Sequence, residues 1–232
     1  MGFMYMNWDI WYFVLVIPAF VFSLIASSAV KKTFQKYSNM PSARKITGAQ
    51  AARKILDHND LSHVSVEQVP GELTDHFDPR SNVLRLSQST YNSFSVAAIG
   101  VAAHEAGHAI QHARSYIPNK IRGVLVPVAN IGSRIGPYLA IFGLIMRMTI
   151  LTNIGIVLFA AAVLFYLITL PVEFNASRRA ISILDNTGIL YGDEITAARR
   201  VLTAAAMTYV ASLVVALASF ARLILLSRGR RR

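Results

Sequence analysis

The sequence contains no cysteine in 232 residues. That excludes disulfides and thiolate ligation together, so any metal held by this chain must use His, Asp or Glu. Charge is also scarce, at 15% of residues against 54% hydrophobic, with a mean hydropathy of +0.45. So little charge and so much apolar side chain exclude a disordered chain and argue against a soluble domain. Acidic residues are the rarer sign, 12 against 23 basic, for a formal net charge of +11. A basic excess can mark a nucleic-acid binder, but its distribution here points elsewhere. About half of the basic residues lie between Lys31 and Arg122, starting directly after the first apolar run as KKTFQKYSNMPSARK. This positive-inside pattern predicts that residues 31–122 are cytoplasmic and the N-terminus outside, with anionic headgroups rather than nucleic acid as partner.

Apolar length is what the chain has in quantity. Crossing a bilayer takes about 20 apolar residues, and residues 10–30 and 150–172 are runs of that length without a charge. Residues 124–146 form a third, containing Arg134 and interrupted by Pro127, Gly132, Gly136 and Pro137. Residues 202–226 form a fourth, with Arg222 near its end. A multi-pass membrane protein follows. The first run reads as a retained anchor, because residues 1–8 (MGFMYMNW) lack the basic region of a signal peptide and the run exceeds the usual apolar core. Tyr5, Trp8, Trp11 and Tyr12 at its front suit an interfacial aromatic belt. Arg134 and Arg222 are expected to face the bundle or snorkel to an interface.

Between the first two runs the pattern changes. Thr47 is a candidate cap for a helix over residues 49–56, and residues 63–69 (HVSVEQV) alternate as a strand does. DPRSN (78–82) reads as a turn and VLRL (83–86) as a second strand, giving a small sheet around a long loop. A helix is predicted from Ser95 through VAAHEAGHAIQHA (101–113).

That last stretch carries the chemistry. On a helix, residues four apart share a face with Cβ atoms roughly 6 Å apart, so His104 and His108 can converge on one zinc ion. Glu105 then sits beside the open coordination position, placed to take a proton from water there. With this composition a HExxH match arises by chance in roughly one shuffled sequence in 300. A solvated polar face explains the segment poorly, since residues 96–103 (VAAIGVAA) are apolar all round.

A catalytic zinc keeps three protein ligands. His112 continues the row of histidines, but three ligands in line on one straight helix cannot surround an ion. Asp75, His76 and Asp78 are cytoplasmic and open as alternatives. Glu173 is better placed. It is the first acidic residue after Glu105, in a helical stretch at the end of the third run, and the intervening transmembrane hairpin would bring it back to the side of His104.

DHFDPRSNVLRLS (75–87), VAAHEAGHAIQ (101–111) and LPVEFNASRRA (170–180) together resemble the YugP-type membrane zinc peptidases, which are similar in plan to the HtpX and CAAX-prenyl proteases. The resemblance covers about residues 45–225. It implies a gluzincin arrangement, with His104 and His108 on one helix, Glu173 on a second and Glu105 as base. In one respect the chain departs. Gluzincins commonly place an aspartate four residues after the ligand glutamate, where it accepts a ring N–H of a ligand histidine; here Ser177 stands there, and Asn175 does not replace the charge. Such partners are typically worth 10 to 100-fold in affinity or activity.

The expected fold is therefore mainly α, a polytopic membrane protein with about four transmembrane helices and a small cytoplasmic zincin-like α+β catalytic portion. The expected divisions are an anchor over residues 1–30, the catalytic portion over 31–122, a transmembrane hairpin over 123–172, the third-ligand helix over 173–200 and a C-terminal helix with a basic tail over 201–232. An even number of spans leaves the RGRRR tail outside, which favours packing the front of that last helix (AARRVLTAAAMTYVAS) in the cytoplasmic portion.

The function expected is a Zn2+-dependent endopeptidase of the cell membrane, cutting membrane-associated protein substrates at the cytoplasmic face. Strand 83–86 is a candidate to pair with an extended substrate, or else purely structural. His76 or Tyr91 could donate to an oxyanion, and Arg178 and Arg179 are expected to meet headgroups. Two rivals stand beside this reading. One is a site-2-type intramembrane protease, with Asp185 of Leu184-Asp185-Asn186 as third ligand. The other is a non-catalytic membrane scaffold with a relic zinc site.

Overall fold

The computed structural model describes residues 10–229. Tyr5, Trp8 and the arginines 230–232 lie outside the described residues. The chain is mainly helical, and among the described residues four helices are long and apolar enough to cross a membrane. A π-helical stretch (Tyr12–Val16) runs into α1 (Ile17–Ser38), followed by α2 (Gly48–His58). Three strands come next, β1 (Ser65–Val69), β2 (His76–Asp78) and β3 (Val83–Ser87). The rest is helical: a short α3 (Gln88–Tyr91), then α4 (Val96–Ala113), α5 (Ile117–Ile145), α6 (Thr149–Asn186) and α7 (Asp193–Gly229). The described residues form two compact units.

One unit comprises residues 10–26, 121–171 and 208–229. Large apolar side chains such as Val124, Tyr138, Ile150 and Val157 are exposed on it, the surface that a bilayer would cover. Residues 117–145 form one helix, uninterrupted at Pro127 and Pro137 where the sequence suggested breaks. Neighbouring helices and local adjustment can re-satisfy the carbonyls that proline frees, which is why membrane helices tolerate it. The glycines serve contact instead. A Cβ on Gly132 would overlap the Leu158 carbonyl, and one on Gly136 would lie 2.9 Å from the Phe159 nitrogen. Gly155 meets the Ala140 nitrogen from the other side, so α5 and α6 pack backbone to backbone. The turn joining them includes Arg147 at φ +59°.

The other unit comprises residues 27–120 and 172–207. Thr47 and Gln50 close a reciprocal capping box at the start of α2, a cap worth about 1 kcal/mol. The buried face of α2 (Ala51, Ala52, Ile55, Leu56) joins one core with α4, β3 and the far end of α6. Leu84, Leu86, Ile99, Ile110, Leu184 and Leu190 are fully or almost fully buried there, each contributing about 1.5–3 kcal/mol of apolar burial. The front of α7 adds Ile195, Ala198, Val201 and Leu202 to the same core, although the helix continues unbroken to Gly229.

The sheet order is β1-β3-β2, with β1 parallel and β2 antiparallel to β3. The sequence suggested two strands with 83–86 available at an edge. A third strand at His76–Asp78 takes that edge, and 83–87 lies in the middle with both neighbours paired. Three residues are too few to display an alternation, so β2 left no periodic signal.

Candidate metal centre

α4 begins where Ser95 Oγ accepts the Ala98 N–H, and its first five residues, Val96–Gly100, are all buried. Small residues make that possible, and they also let α6 approach. A Cβ on Gly107 would stand 2.9 Å from the Ala176 carbonyl oxygen and 3.4 Å from its Cα. The two helix backbones therefore touch one residue away from His108, and Glu173 lies less than one turn from that contact on α6.

The result is a cluster of three donors. His104 Nε2 and His108 Nε2 are 3.1 Å apart. Glu173 Oε2 lies 3.3 Å from the first and 3.5 Å from the second. Among the described residues, these three form the group of His, Asp and Glu side chains able to hold a metal ion. The fit to zinc can be tested against its bond lengths. With ligands at about 2.0–2.1 Å in a tetrahedron, neighbouring donors stand about 3.3 Å apart, which the three separations straddle. Glu173 is only 1% exposed, and a charged carboxylate is costly to bury; a divalent cation held between it and the two imidazoles would neutralise it. Donor set, spacing and burial all suit zinc.

Each histidine is held from behind. Ser177 Oγ lies 3.1 Å from His104 Nδ1, so the hydroxyl stands where gluzincins commonly carry an aspartate. Gln111 Oε1 lies 3.1 Å from His108 Nδ1, a partner that sequence reasoning passed over. Its signal was available, since Gln111 follows His108 by three residues and so shares its face of the helix. Such contacts fix the ring orientation of metal ligands.

Glu105 follows His104 and is half-buried. Its Oε2 accepts the backbone N–H of Phe77 from β2 at 3.1 Å. Since β2 pairs with β3 on its other side, the sheet edge orients the carboxylate.

The alternative ligands are engaged elsewhere. Asp75 accepts from the Ser87 N–H and hydroxyl. His76 is exposed with its Nδ1 2.8 Å from the Thr74 carbonyl. Asp78 accepts from Ser81 Oγ, the Arg80 N–H and Arg85, and the Ser81 hydroxyl above all holds its carboxyl well below the ordinary range. His112 packs its ring on Phe77, and Asp185 is exposed on the far part of α6. Arg178 is exposed, and Arg179 donates its Nε–H to Asn175.

A family model described as "Putative neutral zinc metallopeptidase" matches residues 12–228. The chain is 45% identical over 212 residues to the protein named "Putative membrane protease YugP" of Bacillus subtilis (strain 168), an alignment covering 91% of this chain and 94% of that protein. No solved structure gives a significant match. With four membrane-length helices, a HExxH helix and a carboxylate brought to its two histidines, the chain belongs to this neutral zinc metallopeptidase family.

Proposed function

We propose that the protein is a zinc-dependent endopeptidase, with His104, His108 and Glu173 holding the ion and Glu105 as general base. The observation that carries the reading is the mutual spacing of the three donor atoms at 3.1, 3.3 and 3.5 Å. When bound, zinc would act as Lewis acid, polarising a carbonyl and lowering the pKa of water at the open position.

The chain's own residues do the rest. Glu105 accepts a proton on the oxygen not held by Phe77 and can deliver it to the leaving nitrogen. The Phe77 N–H keeps the carboxylate from rotating away during that transfer. β2 is the edge strand of the sheet beside Glu105, so an extended peptide lying along it would be led past Glu105 by main-chain hydrogen bonds. That role falls to β2 rather than to β3, whose two edges are filled.

The substrates in this reading are membrane or membrane-associated proteins, and the site works at the cytoplasmic face. Support comes from the four apolar helices and from the basic residues concentrated between Lys31 and Arg122. The test is metal content and peptide hydrolysis on detergent-purified protein. Wild type should hold one zinc per chain, Glu173→Ala should lose it, and Glu105→Gln should keep it while hydrolysis falls about 10²–10⁴-fold. Wild type without zinc would overturn the metal reading. Full hydrolysis by Glu105→Gln would overturn the assignment of the base.

A further inference from the structure

Gln111 is a fully buried amide one turn beyond His108, and the proposed chemistry does not use it. Its Nε2 lies 2.9 Å from the Val172 carbonyl oxygen and 3.0 Å from Asn175 Oδ1, while Oε1 lies 3.1 Å from His108 Nδ1. Asn175 Oδ1 also accepts the Nε–H of Arg179 at 2.7 Å. The direction of this chain of hydrogen bonds is decided at its two ends. A backbone carbonyl only accepts and a guanidinium only donates. Gln111 must therefore turn its NH₂ to Val172, and Asn175 must turn its oxygen to Arg179 and to that same NH₂. The two amide hydrogens of Gln111 are then engaged by two oxygens, and its carbonyl is what faces His108.

A carbonyl oxygen can only accept, so the ring proton of neutral His108 sits on Nδ1. The Nε2 lone pair then points at His104 and Glu173, the form a metal requires. His104 is held differently. Its partner is the Ser177 hydroxyl, which can donate or accept and so imposes no tautomer.

We infer that Gln111, backed by Val172, Asn175 and Arg179, is the positioning residue that presets His108 as a metal ligand before any ion arrives, and that it offsets the missing carboxylate at Ser177. The inference deepens the reading of His104, His108 and Glu173 as a metal site and rests on it.

The test uses the full chain in detergent, with Zn2+ and Co2+ affinities measured by chelator competition. Gln111→Met, of similar volume, should weaken binding about 10 to 100-fold, more than Ser177→Ala does. Asn175→Leu, which removes the oxygen that accepts from Gln111, should also weaken it. Asn175→Asp should restore near wild-type affinity, because a carboxylate keeps both acceptor contacts.

A purely packing role would not move the second readout, the ¹⁵N signature of the histidine rings in metal-free protein. His108 should carry its proton on Nδ1 in wild type and become a mixture of tautomers in Gln111→Met. An unchanged tautomer there, or a larger loss from Ser177→Ala than from Gln111→Met, would overturn the inference. If Gln111→Met does not fold, the Asn175→Leu and Asn175→Asp pair decides, and equal affinity of those two variants would overturn it. Wild type that binds no metal would sink the metal reading, while the ring spectra of metal-free protein would still test Gln111.

Discussion

Gly107 on α4 and Ala176 on α6 stand so close that a Cβ at 107 would lie 2.9 Å from the Ala176 carbonyl oxygen. This contact sets the distance between the helix carrying both histidines and the helix carrying Glu173. Gly107→Val should push the two apart, at a cost typical of overpacking, about 1–3 kcal/mol. Zinc content should fall with it, because donors 3.1–3.5 Å apart leave no slack for a shift of that size. Elemental analysis and a thermal melt on the same sample check both effects; full zinc content would mean that the contact does not set the site.

Phe77 acts through its backbone as well as its ring. Phe77→Pro removes the N–H that Glu105 accepts, whereas Phe77→Ala removes only the ring that packs on His112. Proline should keep zinc and lower peptide hydrolysis about 10²-fold, the scale of a misplaced catalytic group. Alanine should be much milder. Equal losses in the two variants would assign the effect to the ring.

Asp185 and Glu173 lie on the same helix, one exposed and one buried. Asp185→Ala should leave zinc content unchanged where Glu173→Ala abolishes it. Loss of zinc from Asp185→Ala would revive the site-2 ligand set.

Asp78 predicts a pH dependence away from the metal. Its carboxyl is held below the ordinary range by the Ser81 hydroxyl, the Arg80 N–H and Arg85. A depressed carboxyl stabilises the fold fully above its unfolded pKa of about 3.9, and that contribution is lost as pH falls toward the folded value. The difference in melting temperature between wild type and Asp78→Asn should therefore be constant from about pH 8 to 5 and shrink below about pH 4. A difference that instead grew on acidification would contradict the assigned partners.

Because the chain has no cysteine, single introduced thiols report its orientation cleanly. Glu72→Cys lies in the unit that holds the candidate metal site, and Met148→Cys in the turn between α5 and α6; both positions are exposed. With the site cytoplasmic, a membrane-impermeant maleimide should label Met148→Cys in intact cells and Glu72→Cys only after permeabilisation. The reverse pattern would place the site on the other side.

The sequence on its own determined the membrane character, the HExxH helix and the capped start of α2. These depend on features local in the chain: apolar runs of span length, an i, i+4 pair of histidines, a threonine three residues before a glutamine. It also narrowed the third ligand, since acidic residues are too few after Glu105 to offer many choices. Tertiary structure decided what depends on distant segments meeting. It put Glu173 rather than Asp75, His76 or Asp78 against the two imidazoles, because the small residue Gly107 on α4 admits the α6 backbone at Ala176, less than one turn from Glu173. It made a three-residue strand the sheet edge beside Glu105, since pairing to β3 rather than any alternation of its own defines β2. It also gave His108 its partner Gln111, whose polarity is set by the Val172 carbonyl and the Arg179 guanidinium on a second helix. A helix face can be read from spacing, but the direction of a hydrogen-bond chain depends on what stands at its ends, and here both ends, Val172 and Arg179, lie more than 60 residues along the chain from Gln111.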